Sequence, residues 1–426
     1  MSPTFRALSV HNYRLYFVAS IVTNTGTWMQ RVAQDWLVVS ELDAGGAALG
    51  IVTGLQFLPF MLVTPFAGVL ADRFPKRRLL AITQSLMAVS ALVLGVLVIS
   101  GTVQLWHVYV LALISGLGAA VDAPARQAFV TEMVGTEHLT NAVALNSTTF
   151  HGGRVVGPAV AGLLIAAFGT GPVFVINAVT YLAVLLSLYL MRAGELDPSP
   201  RVEAGTGLLR EGFRYVIGRP DLSAIMLAVF FVGTFGLNFQ LTSALMATDV
   251  FHKGPTEYGI LGSVMAVGSL AGALLAARRT TVRFRLAISA GVTFGVIEVI
   301  VGLMPTYLTF MLMLVPLGLA ALTFMTAANA LMQMSVAPHL RGRVMALYMA
   351  IFMGGTPIGA PLIGWIGEVF GARWTLIGGG ALTVFGCALS ALILLRRTGM
   401  RVHTTFRPWP RFELAAAQLA DRTQQA

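Results

Sequence analysis

The chain has 426 residues, 56% hydrophobic and 11% charged, with a mean hydropathy of +0.79. Soluble proteins carry about 25% charged residues, so a soluble enzyme is excluded at the outset. The single cysteine, Cys387, rules out an internal disulfide and a cysteine-built metal site; no metal or other cofactor is expected.

A helix needs about 20 mostly apolar residues to cross a bilayer. Such runs occur near 15–39, 47–70, 79–99, 105–122, 141–167, 173–191, 222–247, 258–277, 287–304, 307–333, 344–367 and 375–395, giving twelve predicted spans. The polar stretch 192–220 separates six from six. The expected fold is an all-α integral membrane protein with an N-terminal six-helix bundle (1–191), a cytoplasmic central loop (192–220), a C-terminal six-helix bundle (221–395) and a cytoplasmic basic tail (396–426). With the N-terminus in the cytoplasm, nearly all 28 basic residues fall on cytoplasmic segments. Only Lys253 and Arg373 lie outside, and Arg31 and Arg154 lie within spans. The positive-inside rule then puts both termini in the cytoplasm. The net charge of +10 is thereby a mark of topology, and nucleic acid is not needed to explain it. Residues 1–14 are polar and span 1 is too long for a signal-peptide core, so no cleavable segment is expected.

Span 1 carries Asn24, Trp28, Arg31, Gln34 and Asp35 on one coherent face. A lone charge facing lipid costs at least about 2.5 kcal/mol, so such a face turns to water or to a polar partner. Arg31 and Asp35 are i,i+4 neighbours and can pair, either as a structural tie near the outer surface or as part of a cavity. Asp35 is the better proton carrier of the two, because a desolvated carboxylate can be tuned towards neutrality while an arginine stays charged. In span 5, Arg154 sits near the midplane in line with Ser147, His151 and Pro158. An arginine there needs an anionic partner or ligand, and within the spans the acidic choices are Asp35 and Glu298. Thr234 and Asn238 share a face of span 7, and Thr326, Asn329 and Gln333 a face of span 10. These neutral groups suit hydrogen bonds either to a ligand or between helices. Glu298 in span 9 has no evident partner.

One stretch recurs. Gly152, Gly153, Gly157, Gly162, Phe168 and Gly169 of span 5 reappear with the same spacing as Gly354, Gly355, Gly359, Gly364, Phe370 and Gly371 of span 11. Two similar six-span halves rocking about a midplane site are what alternating access requires. Glycine ladders of this kind also let helix backbones approach closely.

The loop after span 2 reads Gly68-Val69-Leu70-Ala71-Asp72-Arg73-Phe74-Pro75-Lys76-Arg77-Arg78. It resembles the signature of the major facilitator superfamily, with Pro75 where a glycine is usual. Gly153-x-x-x-Gly157-Pro158-x-x-x-Gly162 resembles the motif of that superfamily's proton-antiporting exporters, with Ala161 replacing one glycine. Thr27-Trp28-Met29-Gln30, Val32 to Val38 and Asp122 to Phe129 are similar to its bacterial drug and siderophore exporter branch (enterobactin-exporter-like and macrolide-efflux types). The resemblance implies that Gly68, Asp72, Arg73 and Arg77, together with Arg126, belong to a cytoplasmic gating motif. It also implies that Gly157 and Pro158 bend span 5 and that spans 1, 4, 7 and 10 line the cavity. One departure stands out: span 4, taken as Leu105 to Val121, holds no arginine, where many drug exporters place one for proton transfer. Arg154 or an Arg31–Asp35 pair is then the expected substitute.

Together these features lead us to expect a monomeric, proton-driven exporter of small amphipathic or hydrophobic molecules in a bacterial cytoplasmic membrane, surrounded by lipid. A siderophore or lipid exporter of the same fold is the nearest alternative. A non-transporting scaffold or receptor would not need charges at the midplane. Neither paired carboxylates nor a reactive serine motif marks an enzyme.

Overall fold

Hydropathy dictates helices wherever the backbone must bring its own hydrogen bonds into lipid, and the computed structural model is built from them. It describes residues 3–197, 208–279, 282–337, 340–398, 400–407 and 409–416; the side chains of residues 3–4, 64–73, 208–211 and 398–416 lie outside the description. In chain order the helices of the first half are α1 (His11–Trp36), α2 (Gly45–Arg73), α3 (Lys76–Ile99), α4 (Leu105–Phe168) and α5 (Thr170–Leu190). Next come α6 (Leu208–Ile217), α7 (Pro220–Phe231), α8 (Phe239–Leu245), α9 (Pro255–Ala277), α10 (Phe284–Gly302), α11 (Tyr307–Ser335), α12 (Arg341–Gly354), α13 (Thr356–Phe370) and α14 (Ala372–Thr398).

Ten helical stretches among the described residues are long and apolar enough to cross a membrane. One of them, α4, makes two crossings: it runs for 64 residues and turns at Gly135, whose φ of 64° is a conformation side chains rarely adopt. The polar stripe of α1 leaves that helix less apolar than these ten, although its 26 residues reach about 39 Å. With α4 counted twice and α1 added, the twelve expected crossings are present.

The departures are local. Arg126, expected in a loop after span 4, lies inside α4, because the first limb continues past Val121 to the Gly135 turn. Span 7 is not one helix: α7 gives way to a wide-turned segment at Val232–Gly236, then Leu237 and Asn238 leave helical geometry before α8 begins. The central stretch expected as a loop contains α6. The tail departs from an all-helical chain, pairing β1 (Met400–Arg407) with β2 (Trp409–Ala416) in antiparallel register, Met400 opposite Ala416.

The repeated glycines occupy equivalent places. Gly157 in the second limb of α4 packs on α1, where a Cβ would lie 2.6 Å from Trp28 Cβ and 2.9 Å from the Thr25 carbonyl. Gly359 in α13 packs on the Thr234 carbonyl beyond α7. One turn further on, Gly162 meets Pro255 and Thr256 of α9, and Gly364 meets Gly46 and Gly50 of α2. Two seams result. In the first, Gly259 sits on the Pro158 carbonyl and Ser263 Oγ donates to Val155 O at 2.6 Å. In the second, Gly50 sits on the Ala360 carbonyl, and a Cβ on Gly54 would lie 3.3 Å from the Pro357 carbonyl. Each seam joins the first six crossings to the last six at the end of the molecule where α2 and α9 begin.

Candidate functional site

The 3.6-residue period sets Asn24, Trp28, Arg31 and Asp35 along one side of α1. The Arg31 guanidinium stands 5.0 Å from the Trp28 ring centre and 5.4 Å from that of Phe57 in α2. Arg154, from α4, approaches the same indole at 5.5 Å, and Phe150 meets it edge-on at 5.8 Å. One tryptophan therefore holds two guanidiniums, a cation–π arrangement in partly buried surroundings. Neither arginine forms an ion pair among the described residues.

The expected Arg31–Asp35 pair does not form. Helical side chains lean towards the N-terminus, and Arg31 follows that lean onto Trp28, although its charge and that of Asp35 still act on each other. Asp35 instead accepts a hydrogen bond from the Tyr258 hydroxyl of α9 at 2.8 Å, while Trp36 stacks on the Tyr258 ring. This contact crosses the seam between the first and last six crossings. Gln34, beside it, is buried with its Nε2 unpartnered.

Sequence reasoning missed an acid. Asp122 is 3% exposed in α4, where Oδ1 accepts from Thr83 Oγ1 (3.0 Å) and Gln84 Nε2 (2.8 Å). Oδ2 accepts from Arg126 Nε (3.0 Å) and Nη2 (2.5 Å). Arg126 Nη1 points at Asn24 Oδ1 at 3.5 Å, and Asn24 Nδ2 donates to Thr149 Oγ1 at 3.0 Å. The first limb of α4 thus carries an arginine after all, correcting the expectation that it held none. The i,i+4 spacing of Asp122 and Arg126 was the available signal, but it begins where the apolar run of span 4 ends.

Ser147 and His151 line a cavity of about 540 Å³ between the two limbs of α4, together with Gln127, Thr131, Asn146 and Phe150. Of the gating motif, the side chains of Gly68, Asp72 and Arg73 lie outside the described residues. Arg77 donates to the carbonyls of Leu188 (2.7 Å) and Tyr189 (3.2 Å) at the end of α5, a tie within the first half. Its neighbour Lys76 forms a buried ion pair with Glu132 at 2.7 Å, which the sequence reading did not single out. Nor did it find Glu368: from α13, Oε2 accepts the Ala47 N–H at 3.1 Å and so caps the start of α2 across the seam.

Of the exporter-motif residues, Gly153 and Gly157 face α1, and Pro158 and Gly162 face α9. The hydrogen bonds of the second-half residues are local. Thr326 Oγ1 bonds back to Leu322 O, and Gln333 Nε2 to Asn329 Oδ1 at 2.5 Å, both within α11. Thr234 Oγ1 and Asn238 Oδ1 are buried without partners. Among the described residues no three His, Cys, Asp or Glu side chains gather to hold a metal.

A family model described as transmembrane secretion effector, of the major facilitator type, matches residues 2–424. The chain belongs to that family. Its members are transporters, not enzymes, so this is a multi-pass membrane transporter for a small molecule. The multidrug efflux pump Tap of Mycolicibacterium fortuitum is 29% identical over 85% of this chain and 91% of its own length. The enterobactin exporter EntS of Salmonella typhimurium is 24% identical over 90% and 91%. Among solved structures, an inward-facing bacterial homologue of the human lysosomal transporter Spinster superposes with a TM-score of 0.71 at 16% identity, covering 90% of this chain and 97% of that one. That likeness shows a common fold.

Proposed function

We propose that this major facilitator protein exports small amphipathic or hydrophobic, drug-like molecules from the bacterial cytoplasm by proton antiport, as a monomer with both termini cytoplasmic. The observation that carries the reading is the pair of glycine-on-carbonyl seams, Gly259 on Pro158 and Gly50 on Ala360. They join two bundles (1–191 and 221–395) at one end by close backbone contact that can separate without breaking a core. On the proposed topology that end is periplasmic, so the Trp28, Arg31 and Arg154 cluster would be reached from the cytoplasm in this state. Separation of the seams would then expose it to the outside.

Asp35 is the proposed proton carrier, because its bond to Tyr258 spans the seam and must break when the bundles part. Asp72, Arg73 and Arg77 with Gly68 form the proposed cytoplasmic latch. Arg126 is better placed to hold Asp122 and Asn24 than to serve in that latch. The efflux names of the relatives favour export over import. A cysteine pair V155C/S263C tests the seam: oxidation should stop efflux and reduction restore it, whereas full efflux by the oxidised protein would show that the seam need not open.

A second substrate reading is supported by one observation. Arg31 and Arg154 share the Trp28 ring without a carboxylate of their own, which suits an anionic aromatic ligand of siderophore type.

A further inference from the structure

Glu298 in α10 is 2% exposed, and its Oε2 has no hydrogen-bond partner. The transport cycle described above makes no use of it. Three elements close round it: α10 itself, the break after α7, and α14. A methyl group built on Gly236, in the break, would stand 3.2 Å from Glu298 Oε2 and 2.8 Å from Thr383 Oγ1 of α14. One built on Gly379 of α14 would stand 3.3 Å from Glu298 Oε1 and 2.6 Å from the Phe235 carbonyl. The two glycines thus let a carboxylate, a hydroxyl and a carbonyl approach one another, with the Phe294 ring beside them, 2.5 Å from the position of the Gly236 methyl.

The hydrogen-bond inventory is lopsided. Thr383 Oγ1 and Asn238 Oδ1 are also buried and unpartnered, with their residues 0% and 4% exposed. Asn238 turns its Nδ2 to the carbonyls of Thr234 (2.8 Å) and Phe235 (3.4 Å), which leaves its own oxygen unmet. At the break, the Leu237 N–H reaches back to Val232 O, one residue further than in a regular helix. Acceptor oxygens, two of them from one carboxyl group, therefore gather near an interruption in a membrane-spanning helix, and the Thr383 hydroxyl is the one donor among them.

We propose that Glu298, Thr383, the Asn238 side-chain oxygen and the Phe235 carbonyl form a sodium site in the second half of the transporter. An all-oxygen donor set suits a hard cation, and discontinuous spanning helices present freed carbonyls to sodium in this way. One carboxylate neutralises a monovalent ion, whereas a divalent one would leave net charge in the membrane interior. A proton on Glu298 is the competing occupant, since with the Thr383 O–H it would give the site two donors, and the sodium titration separates the two. Occupancy has a mechanical consequence. The ion would tie α10 and α14 to the break, whose opposite side packs through Thr234 on Gly355 and Gly359 of the α13 region. Sodium would thereby fix the bend of span 7.

The test uses the purified full-length protein in detergent. Its thermal midpoint is followed as sodium chloride replaces choline chloride at constant ionic strength, alongside direct ²²Na⁺ binding. The wild-type midpoint should rise saturably with sodium. Glu298→Gln should lose at least about tenfold in apparent sodium affinity, and Thr383→Val likewise. Should Glu298→Gln fail to fold, Thr383→Val carries the comparison, since it keeps the side-chain volume. A wild-type protein that responds no more to sodium than to choline overturns the proposal, as do two variants that both titrate like the wild type. Sodium-indifferent wild-type protein whose efflux is lost in Glu298→Gln also overturns it, in favour of a proton on that carboxylate.

Discussion

Asp122→Asn removes a charge while keeping the side-chain shape, and its effect can be worked from the contacts. The carboxylate accepts four hydrogen bonds, two of them from Arg126. The substitution strands the guanidinium and offers an NH₂ group where only donors face it. Breaking one side of a buried ion pair costs about 3–5 kcal/mol. The Asp122 side chain is 4% exposed but that of Arg126 is 28% exposed, so water screens part of the stranded charge and the lower end, about 3 kcal/mol, applies. Adding Arg126→Gln removes that charge and should recover about half of the loss, within the usual range for coupled neighbours. The assay is an unfolding titration with sodium dodecyl sulfate, followed by tryptophan fluorescence, on the wild type, both single variants and the double variant. Were Asp122→Asn within about 1 kcal/mol of wild type, or were the two substitutions simply additive, the pair would not be the internal tie argued here.

Asp35→Asn should abolish efflux driven by a pH gradient while ligand binding persists; unchanged pumping would remove Asp35 from coupling. Asp72→Asn should slow turnover without altering specificity, and normal rates would reduce the loop to an anchor. Arg31→Gln and Arg154→Gln should each weaken binding of an anionic aromatic ligand by about tenfold, or about 1.4 kcal/mol, and leave neutral ligands unaffected. Equal losses for both ligand classes would count against an anion site. Gly259→Val would drive a branched side chain into the Pro158 carbonyl and hold the seam apart. Periplasmic labelling of a cysteine at Ser263 should rise as transport falls, and unaltered labelling would place the closing contact elsewhere.

Hydropathy made the crossings legible because lipid leaves the backbone only helices to choose from. Short-range geometry was harder to read. The apolar run of span 4 ends at Val121, yet the helix continues through Pro124 and brings Asp122 under Arg126. The turn belongs to Gly135, which has no turn dipeptide beside it. The Arg31 contact was misjudged because i,i+4 spacing permits a pair but does not choose between Asp35 and an indole on the same face. Tyr258 and Glu368 act across the seam on residues more than two hundred positions away, and sequence periodicity carries no record of such distant partners. The glycine repeat, by contrast, was readable, since a close backbone contact tolerates little else.

The most direct trial of proton-coupled export is accumulation of fluorescent ligands (anionic, cationic and neutral) in everted membrane vesicles carrying this protein, with and without an uncoupler. Export by proton antiport predicts accumulation of at least one ligand class that collapses when the uncoupler is added and is absent from vesicles carrying Asp35→Asn. Accumulation indifferent to both the uncoupler and the substitution, or none for any ligand by a correctly inserted protein, would contradict it.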